Sequence, residues 1–490
     1  MGIIKKQTIK GTIINYIGVG IGFVTAAILS PMIDSKTIGL VSVIVAYSII
    51  ISNIGGLGIA GITTKLFPYF RTKDNNHNGF LFVAISIASI GFILAAIIVF
   101  ILKQVAYSDR TSDDLFMQHF YYIIPVVFFQ IFFSLFDNYY KVIFDAIKGI
   151  YLREFVQKLG TFAAIAMMVA GFVNFETFVI VYLIGFSLPG IIFIIYAILD
   201  KKTSFKPNLK FIDKELKSSI ISVGIFSIVS GASGIIAVNI DKIMLESMTG
   251  LSSAGVYSIA FYFGLIISIP ARSLVKISSA LIAESWKNND IKNISLIYKK
   301  STINLFVVGV IFLIGLTINI DNILVLLSNE YANGKIVIIL IAIAFLSDML
   351  GGTAPQILAS SSKYKVQTYL MIAFVFLVIL TNYLLIPKYG INGAAAATLL
   401  SKLIVNIIRF FIVYTNYKLQ PYNFKFILVF VIGALVMGIN YIIPKQSNFI
   451  IDIILRSGTV SIIYIMLIYF LNISEDINNQ LNQILKKIKG

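Results

Sequence analysis

The stretch IGLVSVIVAYSIIISNIGGLGIA, residues 38–60, carries no charged side chain and is long enough to cross a lipid bilayer. A membrane-spanning helix needs about 20 predominantly apolar residues. The chain repeats this pattern from about residue 11 to about residue 471. Its mean hydropathy is +0.93, and 58% of its 490 residues are hydrophobic. The composition therefore predicts an all-α polytopic membrane protein.

Short polar loops divide the apolar sequence into about 14 predicted transmembrane helices. They cover residues 11–32, 38–60, 79–102, 117–137, 155–174, 177–198, 218–243, 254–270, 301–320, 337–354, 366–386, 392–413, 424–443 and 450–471. The N-terminal run is basic and then apolar, as in a signal peptide. It extends to Met32, beyond the usual 7–15 apolar residues of such a peptide, so we interpret it as a retained first helix.

The distribution of basic residues predicts the orientation of the chain. The net charge is +17, and most of the 39 Lys and Arg residues lie in alternate loops when the N-terminus is placed inside. Cytoplasmic loops are enriched in Lys and Arg, so we expect both termini in the cytoplasm and an even number of spans. This placement explains the positive charge without a nucleic-acid partner.

An internal repeat relates two parts of the chain. Residues 35–42, SKTIGLVS, align with residues 251–258, LSSAGVYS, at an offset of 216 residues that continues into the following helix. Both copies enter the membrane from the same side, which is typical of a parallel repeat in a transporter. The sequence therefore predicts two parallel six-helix bundles that face a central cavity, plus two extra C-terminal helices.

The repeat and the basic loops predict the domain boundaries. We expect an N-terminal bundle at 1–198, a cytoplasmic linker at 199–217 and a C-terminal bundle at 218–413. Two additional helices follow at 424–471, and an amphipathic cytoplasmic tail covers 472–490.

Two charged residues fall near the middle of predicted spans. At 1.5 Å per residue, Asp348 is predicted to lie about 16 Å and Lys402 about 15 Å from the outer membrane surface. A charge at this depth is costly and calls for a partner. One interpretation is a buried pair that lines the cleft, with protonation of Asp348 as a coupling step. The alternatives are a structural ion pair and a Lys402 that reaches the interface.

Three further residues are candidates for binding substrate. Asp241 and Lys242 end the seventh span, where they would form either a charged outer mouth of the cleft or a helix end in water. Arg272 follows Pro270 and would either hold an anionic headgroup, since guanidinium recognises phosphate, or act as a membrane anchor. Spans one and two also carry several glycines, which permit close helix packing or bending.

Several classes of chemistry have no candidates in this sequence. The chain has no Cys and only two His residues, His77 and His119. It lacks a Walker A loop, a GxSxG motif and an HExxH motif. We therefore expect no metal, no cofactor and no enzymatic activity, and energy that comes from a gradient or from removal of the product.

Three segments resemble the bacterial polysaccharide (O-antigen, Wzx-type) flippases of the multidrug/oligosaccharidyl-lipid/polysaccharide exporter superfamily. They are NIDKIMLESMTGLSSAGVYSIAFYFG, IPARSLVKISSALIAESWKNND and IPKYGINGAAAATLLSKLIVNIIRF. The resemblance covers most of the chain, with its 14 spans and its duplication. It implies movement of an undecaprenyl-pyrophosphate-linked oligosaccharide from the inner to the outer leaflet of the plasma membrane.

The resemblance also implies a cationic cavity in the first bundle, although spans one to three carry no Arg or Lys at mid-depth. If the cavity is cationic, Lys402, Lys242, Arg272 and Lys10 would have to supply the charge. The expected partners are the lipid-linked oligosaccharide, membrane lipids and polysaccharide polymerase machinery, and we expect a monomer. The alternatives are a lipid II flippase, a cation-coupled drug exporter and a membrane polysaccharide polymerase or acyltransferase.

Overall fold

The computed structural model describes residues 13–15, 17–72, 76–111, 113–200 and 203–489. Within these residues every regular element is helical, and no strand occurs. Many of the helices are long and apolar. The predicted all-α polytopic membrane fold is therefore confirmed.

The chain divides into two compact units, which we call unit 1, Met1–Gly255, and unit 2, Val256–Gly490. Unit 1 contains α1 (Ile13–Met32), α2 (Ser35–Gly55), α3 (Ile59–Phe70), α4 (Phe80–Ala106), α5 (Leu115–His119), α6 (Ile123–Val142), α7 (Ile147–Tyr151), α8 (Gln157–Val169), α9 (Phe175–Leu199) and α10 (Lys214–Thr249). The division falls within α11, later in the chain than the basic linker at 199–217. Helix α10 therefore belongs to unit 1.

The remaining helices belong to unit 2, apart from the start of α11. They are α11 (Leu251–Leu265), α12 (Ile269–Lys287), α13 (Ile291–Ile318), α14 (Ile320–Leu326), α15 (Lys335–Gly351), α16 (Ala354–Ser360), α17 (Tyr364–Tyr417), α18 (Phe424–Ile439), α19 (Phe449–Phe470) and α20 (Glu475–Lys489). The two extra C-terminal helices, α18 and α19, pack with α13 in one apolar cluster that includes Val310, Val429 and Tyr464.

Twelve helical segments in the described part of the chain are long and apolar enough to cross a membrane. One of them, Tyr364–Tyr417, contains two helices that meet at the non-helical Gly390. The predicted span at 155–174 corresponds to α7 and α8, which a short π-helix at Leu152–Val156 joins into one continuous segment. If Tyr364–Tyr417 is counted as two spans and the segment formed by α7 and α8 as one more, the twelve segments correspond to the 14 predicted spans.

Small residues bring the helices of unit 1 close together. A Cβ added to Gly91 would lie 1.7 Å from the carbonyl oxygen of Gly55, and a Cβ added to Gly55 would lie 2.7 Å from Cβ of Ala95. Since apolar surface gains little by leaving lipid, close backbone packing of this kind is what holds membrane helices together.

The repeat is visible in the helix boundaries. Helices α2 and α11 begin at Ser35 and Leu251, which are 216 residues apart, as the alignment predicts. Their first turns touch symmetrically. A Cβ on Gly39 would lie 1.9 Å from the Leu251 oxygen, and one on Gly255 would lie 1.9 Å from the Ser35 oxygen. The hydroxyls of Ser35 and Ser252 form a 2.5 Å hydrogen bond beside this contact.

Candidate functional site

Unit 1 encloses a polar cavity of about 540 Å³, which we call the unit 1 cavity. Residues from α2, α3, α6 and α10 line it, together with Arg153 from the π-helical segment before α8. Small and amide side chains dominate the wall, including Asn53, Gly58, Gln130 and Ser227. The cavity therefore offers hydrogen-bonding groups between helices that are long and apolar enough to cross a membrane, a setting in which polar side chains usually serve a function.

The charges of the unit 1 cavity are mainly positive. Lys65, Lys141 and Arg153 line it, and Asp137 is the carboxylate among its described lining residues. Asp137 is paired with Lys141 at 2.5 Å. Within the described residues neither Lys65 nor Arg153 forms an ion pair, so their charges remain available to an anion.

All three cations fall between predicted spans, Lys65 after residue 60 and Lys141 and Arg153 between residues 137 and 155, where the positive-inside pattern predicts cytoplasmic loops. They line the cavity because α3 continues to Phe70 and α6 to Val142, beyond the predicted span ends at 60 and 137. The helices thus carry basic residues from the membrane boundary onto the cavity wall. The signal in the sequence is the apolar helical spacing that continues through Ile59, Ile62 and Leu66, with Lys65 beside that apolar stripe rather than within it.

Unit 2 contains a second cavity of about 340 Å³, which we call the unit 2 cavity. Helices α12, α13, α15 and α17 supply most of its wall, which combines aromatic and amide side chains. Asp348 and Lys402 both line it and form an ion pair. The Lys402 ammonium also lies 4.5 Å from the centre of the Phe345 ring, a cation–π distance. The structure therefore brings these two predicted site residues together.

A hydrogen-bonded chain extends from this ion pair along one face of α17. Asn406 donates to Asp348 at 3.0 Å, and Arg409 donates to Asn406 at 2.5 Å. Arg409 also donates to Gln367 at 3.3 Å. Because Lys402, Asn406 and Arg409 are spaced i, i+4 and i+7, they share one face of the helix.

Arg409 is a cavity residue that the sequence analysis missed. It is buried, and its hydrogen-bond partners in the described structure are two neutral amides rather than a carboxylate. The unit 2 cavity thus has two cations and one acid among its lining residues. The i, i+4, i+7 spacing from Lys402 is the signal in the sequence, but Arg409 lies close to the predicted inner end of its span at residue 413, where a basic residue fits the positive-inside pattern.

The other three predicted site residues lie outside both cavities. Asp241 is fully buried on α10, and Lys242 is partly buried beside it. Arg272 is exposed on α12, next to the cavity residue Ala271, and forms no ion pair within the described structure. Lys10 lies outside the described residues.

The i, i+4 pair on α19 is a structural centre rather than a binding site. Asp452 accepts hydrogen bonds from Arg456 at 2.8 Å, from Asn322 at 2.6 Å and from the Gln446 amide at 2.8 Å. Arg456 also donates to Asn440 at 2.6 Å. All the polar groups are satisfied, and the network ties α14 and the end of α18 to α19.

The described residues contain no group of three or more His, Cys, Asp or Glu side chains that could hold a metal ion. The charged groups of the two cavities are mostly ammonium and guanidinium groups. These side chains bind anions and are unsuited to coordinating a cation.

Sequence comparison identifies a family. Residues 4–282, more than half of the chain, match the family model described as polysaccharide biosynthesis protein. The chain is also 24% identical over 183 residues to the capsular polysaccharide biosynthesis protein CapF of Staphylococcus aureus. That match covers 36% of this chain and 45% of CapF, so it spans less than half of the relative.

Solved structures share the fold. The lipid II flippase MurJ, in an inward closed conformation, aligns with a TM-score of 0.76 at 14% identity and covers 95% of this chain and 100% of its own. An inward-facing multidrug resistance MATE transporter of the MOP superfamily aligns with a TM-score of 0.65 at 11% identity, over 82% and 94% of the two chains. A MOP superfamily transporter from Pyrococcus furiosus aligns with a TM-score of 0.56 at 12% identity, over 84% and 96%.

The long family match, the apolar helices and the shared fold lead to the same assignment. The chain belongs to the polysaccharide biosynthesis protein family and has the fold of the MOP superfamily of membrane flippases and exporters.

Proposed function

We propose that this protein moves an undecaprenyl-pyrophosphate-linked oligosaccharide from the inner to the outer leaflet of the bacterial plasma membrane, for surface polysaccharide biosynthesis. The observation that supports this proposal most directly is the charge of the unit 1 cavity, whose lining residues include three cations and one carboxylate. A pyrophosphate headgroup is polyanionic, and Arg and Lys are the side chains that recognise phosphate. The family match and the similarity to CapF support a polysaccharide substrate.

The position of the cavity suits capture from the inner leaflet. Helix α2 has 21 residues, which at 1.5 Å per residue is roughly the 30 Å thickness of the hydrocarbon core. With both termini in the cytoplasm, Ser35 is at the outer surface and the cavity near Gly58 is at the inner boundary. Transport would then follow alternating access, in which the binding region opens to the two sides in turn.

Two alternatives are less well supported by the cavities. A cation-coupled drug exporter needs an acidic binding region, whereas the charged lining residues of both described cavities are mainly basic. The lipid II flippase MurJ has the same fold, so the fold alone does not separate the two flippase functions. The two flippase functions separate in complementation: surface polysaccharide should be restored in a polysaccharide-flippase-null strain, while a strain depleted of its lipid II flippase should not be rescued.

The first test removes the unpaired charges of the unit 1 cavity. We expect a Lys65→Gln/Arg153→Gln variant to reduce surface polysaccharide in a flippase-null strain at least about tenfold, because it removes the two cations that would hold the headgroup. Immunoblots of surface polysaccharide and of the protein measure the effect. Lys158→Gln is the matched control, because Lys158 pairs with Glu154 at 3.4 Å and does not line the cavity. Normal export by the double variant at normal protein level would contradict the proposal.

The second test addresses the Asp348–Lys402 pair, for which we propose a role in substrate contact or coupling. Lys402→Ala and Asp348→Ala should each lower export, because each leaves one charge in the unit 2 cavity without its partner. Lys335→Ala provides a control, since Lys335 pairs with Asp321 at 2.7 Å outside the cavity. If both cavity variants support full export at normal protein level, the pair is structural only.

We further propose that the protein is a transporter rather than an enzyme. Its partners would be the lipid-linked oligosaccharide and membrane lipids, with polymerase machinery acting on the exported product.

A further inference from the structure

The second transmembrane segment is broken where it passes the unit 1 cavity. Helix α2 ends at Gly55 and α3 begins at Ile59. Between them Leu57 and Gly58 both have positive φ angles, of 47° and 73°. Non-helical backbone inside a membrane protein is tolerated where it lines a polar cavity, and Gly56 and Gly58 both line this one.

Packing against α10 enforces the break. A Cβ on Gly58 would lie 2.2 Å from the carbonyl oxygen of Gly224, and a Cβ on Gly61 would lie 1.7 Å from Oγ of Ser227. Glycine at position 58 also permits the left-handed conformation without strain. The break is therefore a fixed feature of unit 1 rather than a frayed helix end.

The start of α3 presents a backbone donor to the cavity. No side chain caps α3. The amide of Ile59 donates to the Gly56 oxygen at 2.9 Å, and the amides of Gly61 and Ile62 both donate to the Gly58 oxygen at 3.0 Å. The Ala60 amide has no acceptor among the described residues, and Ala60 is exposed on the cavity wall. A helix N-terminus of this kind favours an anion.

An independent observation on α6 points to a ligand at the same level. Gln130 is only 8% exposed, lines the unit 1 cavity and has no hydrogen-bond partner within the described structure. Its neighbour Ile131 is close to the break, since a Cβ on Gly55 would lie 3.3 Å from Cδ1 of Ile131. Because this side chain is nine-tenths buried and its amide faces the cavity without a protein partner among the described residues, a ligand in the cavity can hydrogen-bond to it.

From this arrangement we infer that the break in span two is the point of contact for a diphosphate in the unit 1 cavity. The Ala60 N–H and the Gln130 side-chain amide donate to phosphate oxygens, and Lys65 and Arg153 balance the charge. The inference rests on the proposed function, in that the diphosphate is the headgroup of the lipid-linked substrate. To these two cations it adds a backbone N–H donor and a neutral side chain, neither of which a count of charged residues would identify.

The test measures binding of inorganic pyrophosphate to the purified full-length protein in detergent by isothermal titration calorimetry. Ala60→Pro removes the N–H at the second residue of α3, in the first helical turn where proline is tolerated. Gln130→Leu removes the amide. We expect each change to weaken pyrophosphate binding about tenfold, which corresponds to about 1.4 kcal/mol. Ala60→Gly retains the N–H and should bind as the unsubstituted protein does.

A competition experiment tests whether the site binds a lipid headgroup or a free anion. Farnesyl diphosphate, which carries the same headgroup on an isoprenoid chain, should displace pyrophosphate, and inorganic phosphate should compete more weakly. Failure of farnesyl diphosphate to displace pyrophosphate would overturn the lipid assignment. Circular dichroism and thermal melting check the fold of each variant, and Gln130→Leu keeps the test decisive if Ala60→Pro does not fold.

The outcomes distinguish this inference from the proposed function. If Ala60→Pro and Gln130→Leu bind pyrophosphate normally while Lys65→Gln/Arg153→Gln does not, the cavity is cationic but the helix break has no part in binding. That result would overturn the inference and leave the proposed function intact. If the unsubstituted protein exports polysaccharide but binds no pyrophosphate, the inference is equally wrong.

Discussion

Oxidation of a Ser35→Cys/Ser252→Cys variant is expected to abolish polysaccharide export, and a reductant is expected to restore it. The two hydroxyl oxygens are 2.5 Å apart at the start of α2 and of α11, so sulfur atoms at these positions lie within bonding reach. The natural chain has no Cys, and the introduced pair is therefore the only thiol pair in the protein. If the chain works by the alternating access proposed above, with both termini in the cytoplasm, these helix ends lie at the outer side and separate in each cycle.

The glycine contact beside the serines gives the expectation its physical basis. Gly39 and Gly255 allow the backbones of the repeated helices to meet, and a side chain at either position would collide with a backbone oxygen. A covalent bond at this point would hold the contact closed against the binding energy of the substrate.

Surface polysaccharide is measured before and after oxidation. The mobility of the protein on gels shows how much of it is crosslinked. The single variants Ser35→Cys and Ser252→Cys are the controls and should export under both conditions. Full export by the crosslinked protein would show that these helix ends stay together during transport, and alternating access at this point would be wrong.

The second large effect concerns stability. Arg456→Met should destabilise the folded protein by about 3–5 kcal/mol, because it leaves the Asp452 carboxylate buried without its charged partner. Asp452 is 1% exposed, and its remaining donors, Asn322 and the Gln446 amide, carry no charge. The packing of α14 and α18 against α19 should weaken as a result.

Thermal melting in detergent, monitored by size-exclusion chromatography, measures this loss of stability. The double variant Asp452→Asn/Arg456→Met removes both charges and should recover most of the lost stability. An Arg456→Met protein that melts at the original temperature would show that the network is not a structural centre. The two variants together separate the loss of an ion pair from the loss of packing volume.

Much of the fold was predictable because it depends on local properties of the chain. Each apolar stretch such as 38–60 predicts a span by its own length, and the 216-residue offset predicts the equivalent starts of α2 and α11. The i, i+4 pair Asp452–Arg456 was also predictable, since residues at this spacing face each other on any helix.

The cavities were less predictable because their walls combine residues that are distant in sequence. Lys65 and Arg153 have the positions of ordinary positive-inside residues in the sequence, and only the continuation of α3 and the π-helical turn before α8 bring them to one cavity. Arg409 was missed for the same reason. The depth of a residue in the membrane can be counted along the chain, whereas the residue that it faces depends on how the helices pack.

By itself, the sequence determined that the chain crosses the membrane many times and that its helices are duplicated, because both follow from the lengths and positions of its apolar stretches. Only the tertiary structure decided that span two breaks at Gly58, that Gln130 lies unpaired near the break and that Lys65 and Arg153 line the same cavity. Those features depend on close contacts with α6 and α10, and contacts between distant helices are set by backbone packing that no local pattern encodes.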